Sequence, residues 1–228
     1  MSVSQETPGL RSSAVEDYAK AIYALHARDD EPVTTTALAE RLGVTAASAS
    51  GMVKRLCELG LVTHRPYHGA LLTDAGLRVA LEVIRHHRLL ELYLVESLGV
   101  PWDRVHQEAE VLEHVLSEDL EELIATKLGD PTHDPHGDPI PSRDLEIEEV
   151  ATESLESLQP GARGIFARVS DADPDMLRYL SERGIAPGDA LEVVERQPFG
   201  GPLFVRFGSE VHPLGGELAR AIRVQVRA

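Results

Sequence analysis

Residues 33–66 read VTTTALAERLGVTAASASGMVKRLCELGLVTHRP, and their punctuation decides the fold. Thr35 or Thr36 can cap a short helix running to about Leu42, and Thr45 can cap another running to Leu59, because a threonine hydroxyl satisfies an unpaired N–H at a helix start. Gly43 and Gly60 follow as stops. Two short helices joined by a three-residue turn, then the alternating stretch LVTHRPYHGALLT with turn residues near His68 and Gly69, make the pattern of a winged helix-turn-helix. In the second helix Thr45, Ala47, Ser48, Ser50 and Gly51 are small or hydroxylated, which suits close approach to phosphates and base edges in a major groove. Together with Thr35, Lys54 and Arg55 they form the expected DNA face. The competing reading of the same residues is an ordinary helical hairpin with a solvated Ser/Ala face.

Upstream, AVEDYAKAIYALH (14–26) spaces Val15, Ala19, Ile22, Tyr23 and Leu25 as an amphipathic helix with Glu16, Asp17 and Lys20 on its polar side. Downstream, a long helix is expected from Asp74, and a second from Pro101 to a stop at Gly129. DPTHDPHGDPIPSRD (130–144) is too rich in Pro, Gly and Asp for helix and reads as an ordered turn or linker. Short β-type runs near 164–169, 190–195, 203–207 and 221–226 suggest a small barrel of about five strands. The expected organisation is mainly α with small β parts: a winged helix-turn-helix over 1–73, a helical domain over 74–145, a linker over 146–160 and a β domain over 161–228.

The chain has 228 residues, with 22 basic and 38 acidic ones, a formal charge of −16. Such a balance opposes nucleic-acid binding as a whole, since phosphate neutralisation is the main sequence-independent term. Between residues 32 and 72, however, Arg41, Lys54, Arg55 and Arg65 stand against only Glu40 and Glu58, a local charge of +2. A single cysteine, Cys57, excludes a disulfide framework and a cysteine-rich zinc site. The opening MSVSQETPGL lacks the parts of a secretory signal and no apolar run reaches about 18 residues, so a cytoplasmic protein without a membrane partner is expected.

RVHQEAEVLEH (104–114) is the richest stretch chemically. At about 100° per residue His106, Glu110, Glu113 and His114 fall within roughly a 100° arc, four potential ligands on one helix face. His87 and Glu91 at i, i+4 and Asp17 on the first helix add enough donors for two sites. Taken singly, each is more often a core or solvated residue. Imidazole with carboxylates and no thiolate forms a hard site suited to manganese or ferrous iron. No HExxH, GxSxG or phosphate-binding glycine loop is present, so an enzyme is not expected. A regulator sensing an organic ligand and a metallohydrolase stay open as alternatives.

The winged helix combined with RHHRLLELYL (85–94), RVHQEAEVLEHVLSE (104–118) and DPHGDPIP (134–141) resembles the diphtheria toxin repressor family of metal-dependent regulators, most closely its manganese-responsive actinobacterial-type members. The resemblance runs over about residues 14–228 and implies a C-terminal SH3-like, FeoA-like domain. It implies a homodimer that binds double-stranded palindromic operator DNA and represses manganese-uptake genes, with Mn2+ as cofactor and an iron-dependent regulator (Fe2+) as the alternative. It places a primary site on Asp17, Glu110, Glu113 and His114, and a second site on His87, Glu91 and His106 with Asp171 or Asp173 from the C-terminal domain. Asp17 and Glu110 stand where iron-responsive members carry Met and Cys, the exchange of soft sulfur for hard oxygen that the ligand argument already favours. Lys20 stands where short manganese regulators carry a Glu, which favours two separated sites over a tight two-ion cluster. His133 and His136 are read as loop residues near the second site.

Overall fold

The computed structural model describes residues 12–65 and 68–227. The chain divides into two compact units, one comprising the residues up to His87 with Glu113–Leu116 and Arg143–Leu145, the other comprising Arg88–Leu112, Ser117–Ser142 and the chain from Glu146 on.

In the first unit α1 (Ser13–Asp29) buries Val15, Tyr18, Ala19, Ile22 and Leu25, the residues its spacing marks as apolar plus Tyr18 in place of Tyr23. The cap of α2 (Thr35–Leu42) is Thr34, whose hydroxyl accepts the Ala37 N–H at 3.1 Å, so the helix begins on the residues expected to cap it. Thr45 caps α3 (Ala46–Glu58) as expected and accepts the Ser48 N–H at 3.2 Å. β1 (Val62–Arg65) and β2 (Gly69–Leu72) pair antiparallel from Val62 opposite Leu72 to Arg65 opposite Gly69. The expected turn near His68 lies partly outside the described residues. Ala70 of β2 also exchanges both backbone hydrogen bonds with Val33, tying the wing to the segment before α2. Val15, Ile22, Leu38, Ala49, Val53, Leu56 and Leu61 close one core. α4 (Asp74–Leu98) then starts in this unit and continues into the other.

In the second unit the helix expected over 101–129 is two helices, α5 (Val105–Leu112) and α6 (Glu118–Lys127). Pro101 opens a turn, its carbonyl accepting the Arg104 N–H at 2.9 Å. α6 needs its own start because Ser117 caps it, accepting the Leu120 N–H, and Glu118, Asp119 and Glu121 complement its positive end. Glu113 and His114 consequently lie in a turn and not on a helix. β3 (Glu153–Ser154), β4 (Arg163–Val169), β5 (Ala190–Arg196), β6 (Leu203–Phe207), β7 (Glu210–Leu214) and β8 (Ile222–Val226) form an antiparallel sheet in the order β3-β8-β4-β5-β6-β7, with α7 (Pro174–Ser181) and α8 (Gly216–Ala221) beside it. Phe166, Leu177, Leu180, Ile185, Leu203 and Leu214 are among its core residues, as are Leu155 and Leu158, so part of the stretch expected as a linker is built into this core.

The 130–144 segment is ordered without helix, as expected, and it is docked. Asp134 Oδ1 accepts the N–H of His136 and of Asp138, the His136 carbonyl accepts the Val169 N–H at 2.9 Å, and Arg168 donates to Asp138 at 3.3 Å. Gly137 sits at φ 87, and a Cβ there would stand 2.0 Å from the Ala167 carbonyl oxygen. Only glycine allows that backbone approach. No helix among the described residues is long and apolar enough to cross a membrane.

Candidate metal centres and DNA face

The first centre belongs to the first unit. His114 Nε2 lies 3.0 Å from Asp17 Oδ1 on α1 and 3.6 Å from Glu113 Oε1, and Asp17, Glu113 and His114 offer ligand atoms that all lie within 4.8 Å of one another. The other ring nitrogen is committed: His114 Nδ1 lies 2.6 Å from Glu16 Oε2. A carboxylate only accepts, so Nδ1 donates to Glu16, and Nε2 is the ring nitrogen turned to Asp17 and Glu113, where a cation that takes it as a ligand displaces any proton it shares with Asp17. Glu16 has no place in the expected ligand set. Its signal was the acidic pair Glu16–Asp17, since a ligating imidazole needs an acceptor on its second nitrogen.

Glu113 is fully buried, and Lys20 on α1 donates to both its oxygens, at 2.9 Å to Oε1 and 2.8 Å to Oε2. His87 Nδ1 is hydrogen-bonded to Glu113 Oε2 and stands 3.2 Å from Lys20 Nζ. Glu110, expected at this centre, is on α5 in the second unit, its carboxylate 3.7 Å from His106 Nε2.

The second centre belongs to the second unit. His106 Nδ1 on α5 lies 2.9 Å from Asp171 Oδ2 and 3.3 Å from Glu91 Oε1 on α4. The hydrogen bond to Asp171, then that to Glu91, pushes the His106 imidazolium up to about 10. Burial pushes the Asp171 carboxyl up, but its hydrogen bond and charge contact with His106 prevail and hold it below the usual range. A cation that takes His106 as a ligand displaces that proton. His87 precedes Glu91 by one turn on α4. The two candidate aspartates part company: Asp171 is at the centre, whereas Asp173 Oδ1 accepts the Asp175 N–H at 2.9 Å and caps α7.

His136 is a loop residue, as read, and the loop carries its ring into the interior. It is 1 % exposed, its ring stacks on Trp102, its Nε2 lies 2.9 Å from the Trp102 carbonyl oxygen, and its Nδ1 is aimed at Glu91 Oε2 from 3.6 Å. A carbonyl only accepts, so Nε2 donates to it and Nδ1 is the ring nitrogen turned to Glu91, and Glu91, Asp134 and His136 form a wholly buried group with ligand atoms within 4.8 Å of one another. Burial, ahead of the charges of Asp138 and Glu91, pushes Asp134 up to about 7. His136 was hidden because its orientation depends on a loop folded through Asp134 and Gly137. His133 remains a loop residue, paired with the Thr132 hydroxyl.

Both donor sets consist of carboxylate oxygen and imidazole nitrogen, which fits a hard or borderline divalent ion. Cys57 is on α3, half-buried against the first unit's core. On α3 the buried Ala49, Val53 and Leu56 leave Ala47, Ser48, Ser50, Gly51, Lys54 and Arg55 exposed as one outward surface, with Thr45 at its start. Thr35 on α2 is half-buried. Nothing lies within 4 Å of a Cβ built on Gly51, so no internal contact requires glycine there.

A winged helix joined to oxygen- and nitrogen-rich centres defines a metal-binding, DNA-binding regulator. Residues 12–70 match the iron dependent repressor N-terminal DNA binding domain, 73–142 the iron dependent repressor metal binding and dimerisation domain, and 153–226 the FeoA domain. The iron-dependent repressor IdeR of Mycobacterium leprae is 33 % identical over 92 % of this chain and 96 % of its own. The diphtheria toxin repressor of Corynebacterium diphtheriae is 29 % identical over 92 % and 96 %. Among solved structures, a manganese-dependent transcriptional repressor in complex with manganese superposes with a TM-score of 0.86 at 44 % identity, covering 93 % of this chain and all of the other. The chain belongs to the diphtheria toxin repressor and IdeR family of metal-dependent transcriptional repressors, whose members are not enzymes. It has the family's helix-turn-helix, helical dimerisation domain and C-terminal SH3-like FeoA domain.

Proposed function

We propose that the protein is a manganese-dependent repressor of manganese-uptake genes that acts in the cytoplasm as a homodimer on palindromic operator DNA. The observation that carries the choice of metal is the donor set of the first centre, where Asp17 supplies oxygen beside Glu113 and His114, with Glu110 as the expected fourth donor and no sulfur among them. The manganese-bound relative at 44 % identity supports the same choice, while the iron-dependent relatives at 33 % identity keep iron as the second reading. The second centre is proposed on Glu91, His106 and Asp171, with His136 and Asp134 beside them and His87, expected as a further donor, one turn before Glu91 on α4. A bound divalent ion supplies charge neutralisation and a fixed link between α1 and the turn at Glu113 and His114. The chain's part is to turn Nε2 of His114 towards Asp17 and Glu113 and to gather these oxygen and nitrogen donors at one place. A dimer with recognition helices about one DNA turn apart gains affinity when that joint is fixed, and by linkage DNA raises metal affinity by the same factor. Val111, Leu120 and Leu123 are exposed on α5 and α6 and supply apolar surface for the dimer.

The glycine on α3 supports the DNA reading. Glycine within a helix costs about 1 kcal/mol relative to alanine, and the open space around Gly51 offers no compensating internal contact. Clearance for a DNA backbone does. Binding to a manganese-transporter promoter fragment, measured with chelator, Mn2+ and Fe2+ in turn at matched free concentrations, tests the proposal. Activation by Mn2+ and its reversal by chelator are expected. Binding that ignores the chelator overturns metal dependence, and stronger activation by Fe2+ overturns manganese. Glu110→Ala is expected to abolish the Mn2+ response with the fold intact.

A further inference from the structure

Lys20 is the feature of the first centre that metal binding does not explain. Its ammonium has the surroundings of a bound cation: it donates to both oxygens of Glu113, at 2.9 and 2.8 Å. Glu113 is fully buried, and a buried carboxylate without a counter-charge is strongly unfavourable, so the ammonium neutralises it before any ion arrives. The same carboxylate is turned towards His114, with Oε1 3.6 Å from Nε2, on the side where Asp17 completes the donor set. A divalent ion at Asp17, Glu113 and His114 therefore has to share Glu113 with a fixed positive charge.

Charge counting around the centre points the same way. Within the first unit Glu16, Asp17 and Glu113 carry three negative charges and Lys20 reduces this to two, the charge of one divalent ion, while Glu110 as the proposed fourth donor adds one more negative charge. Without Lys20 the metal-free group carries three, and its attraction for a cation grows while the repulsion between ammonium and ion disappears. Lys20 thus stabilises the metal-free protein and weakens the ion's hold in one stroke.

We propose that Lys20 is a resident competitor of the metal: it sets the free-ion concentration at which the first centre fills, by occupying Glu113 as a built-in cation. The inference rests on the reading of Asp17, Glu113 and His114 as a metal centre. It commits to a direction that a merely structural salt bridge does not share, since losing such a bridge lowers stability and leaves metal affinity unchanged or lower.

The test compares Lys20→Gln and Lys20→Met with the parent, all in full-length protein carrying His106→Ala to silence the second centre. Mn2+ affinity is measured by competition with a chromophoric chelator, and thermal unfolding is followed with and without Mn2+. The expected result is at least about tenfold tighter Mn2+ binding in both variants. The melting temperature of the metal-free variants should fall, and the rise produced by Mn2+ should exceed that of the parent. Should Lys20→Met fold only in the presence of Mn2+, slower release of the ion to excess EDTA than in the parent supports the same conclusion, and equal or faster release overturns it. Unchanged or weaker Mn2+ binding in a folded Lys20→Gln overturns the proposal while leaving the centre itself standing. Failure of the parent to bind Mn2+ removes the centre and the proposal together.

Discussion

Glu16 makes no bond to a metal in the proposed scheme, yet its loss should be costly. The Glu16 and His114 side chains are 12 % and 16 % exposed, and Oε2 lies 2.6 Å from Nδ1, so the contact is a short, mostly desolvated, charge-assisted hydrogen bond. Replacing Glu16 with Ala leaves the Nδ1 proton without its acceptor and frees the ring to turn or to move its proton to Nε2, the atom that faces Asp17. Outer groups that orient a ligating histidine typically contribute 10–100-fold to metal affinity, or about 1.4–2.7 kcal/mol. Glu16→Ala should therefore weaken Mn2+ binding at the first centre by roughly that factor, whereas Glu16→Gln, which keeps an acceptor oxygen and loses the charge, should weaken it less. Chelator competition in the His106→Ala background, with circular dichroism to verify folding, measures both. A folded Glu16→Ala protein that titrates like the parent would refute the assignment of Nε2 as the ligating atom.

Asp171→Ala should weaken Mn2+ binding at the second centre while Asp173→Ala should leave it unchanged and lower stability by about 1 kcal/mol through the lost cap of α7, which metal titration and thermal unfolding distinguish. Phe166→Ala, at a fully buried position in the C-terminal core, should cost about 3–5 kcal/mol in chemical unfolding of that unit. Arg55→Ala should weaken DNA binding across sequences and reduce the slope of log K against log salt by about 1, if the exposed end of α3 contacts a phosphate; an unchanged slope removes Arg55 from the DNA face.

The winged helix was legible because its signals are local: Thr45 caps one helix and Gly43 ends the other whatever surrounds them. The break between α5 and α6 was not, since EAEVLEHVLSEDLEEL (108–123) favours helix almost throughout and only the Ser117 cap with the acids behind it marks a new start. β7 escaped because Pro213 interrupts its strand character, and α7 because its apolar residues, Leu177 and Leu180, read equally well as loop anchors. At the candidate metal centres the structure brings together residues whose spacing along a helix or whose family position marks them, Asp17 with Glu113 and His114, and Glu91 with His106 and Asp171. Glu16, His136 and Asp134 carry no such mark, because their contacts with His114 and Glu91 exist only once separate segments meet.

The clearance around Gly51 has a practical consequence for anyone selecting variants. The fold neither needs nor notices the missing side chain, so a screen for thermal stability or expression accepts almost any helix-favouring residue there, and rewards alanine. With Gly51 on the proposed DNA face, the cost would fall on a molecule absent from such a screen. Versions of this protein stabilised without DNA in the assay would then accumulate substitutions at this position and emerge sturdier and well folded but with weakened DNA binding.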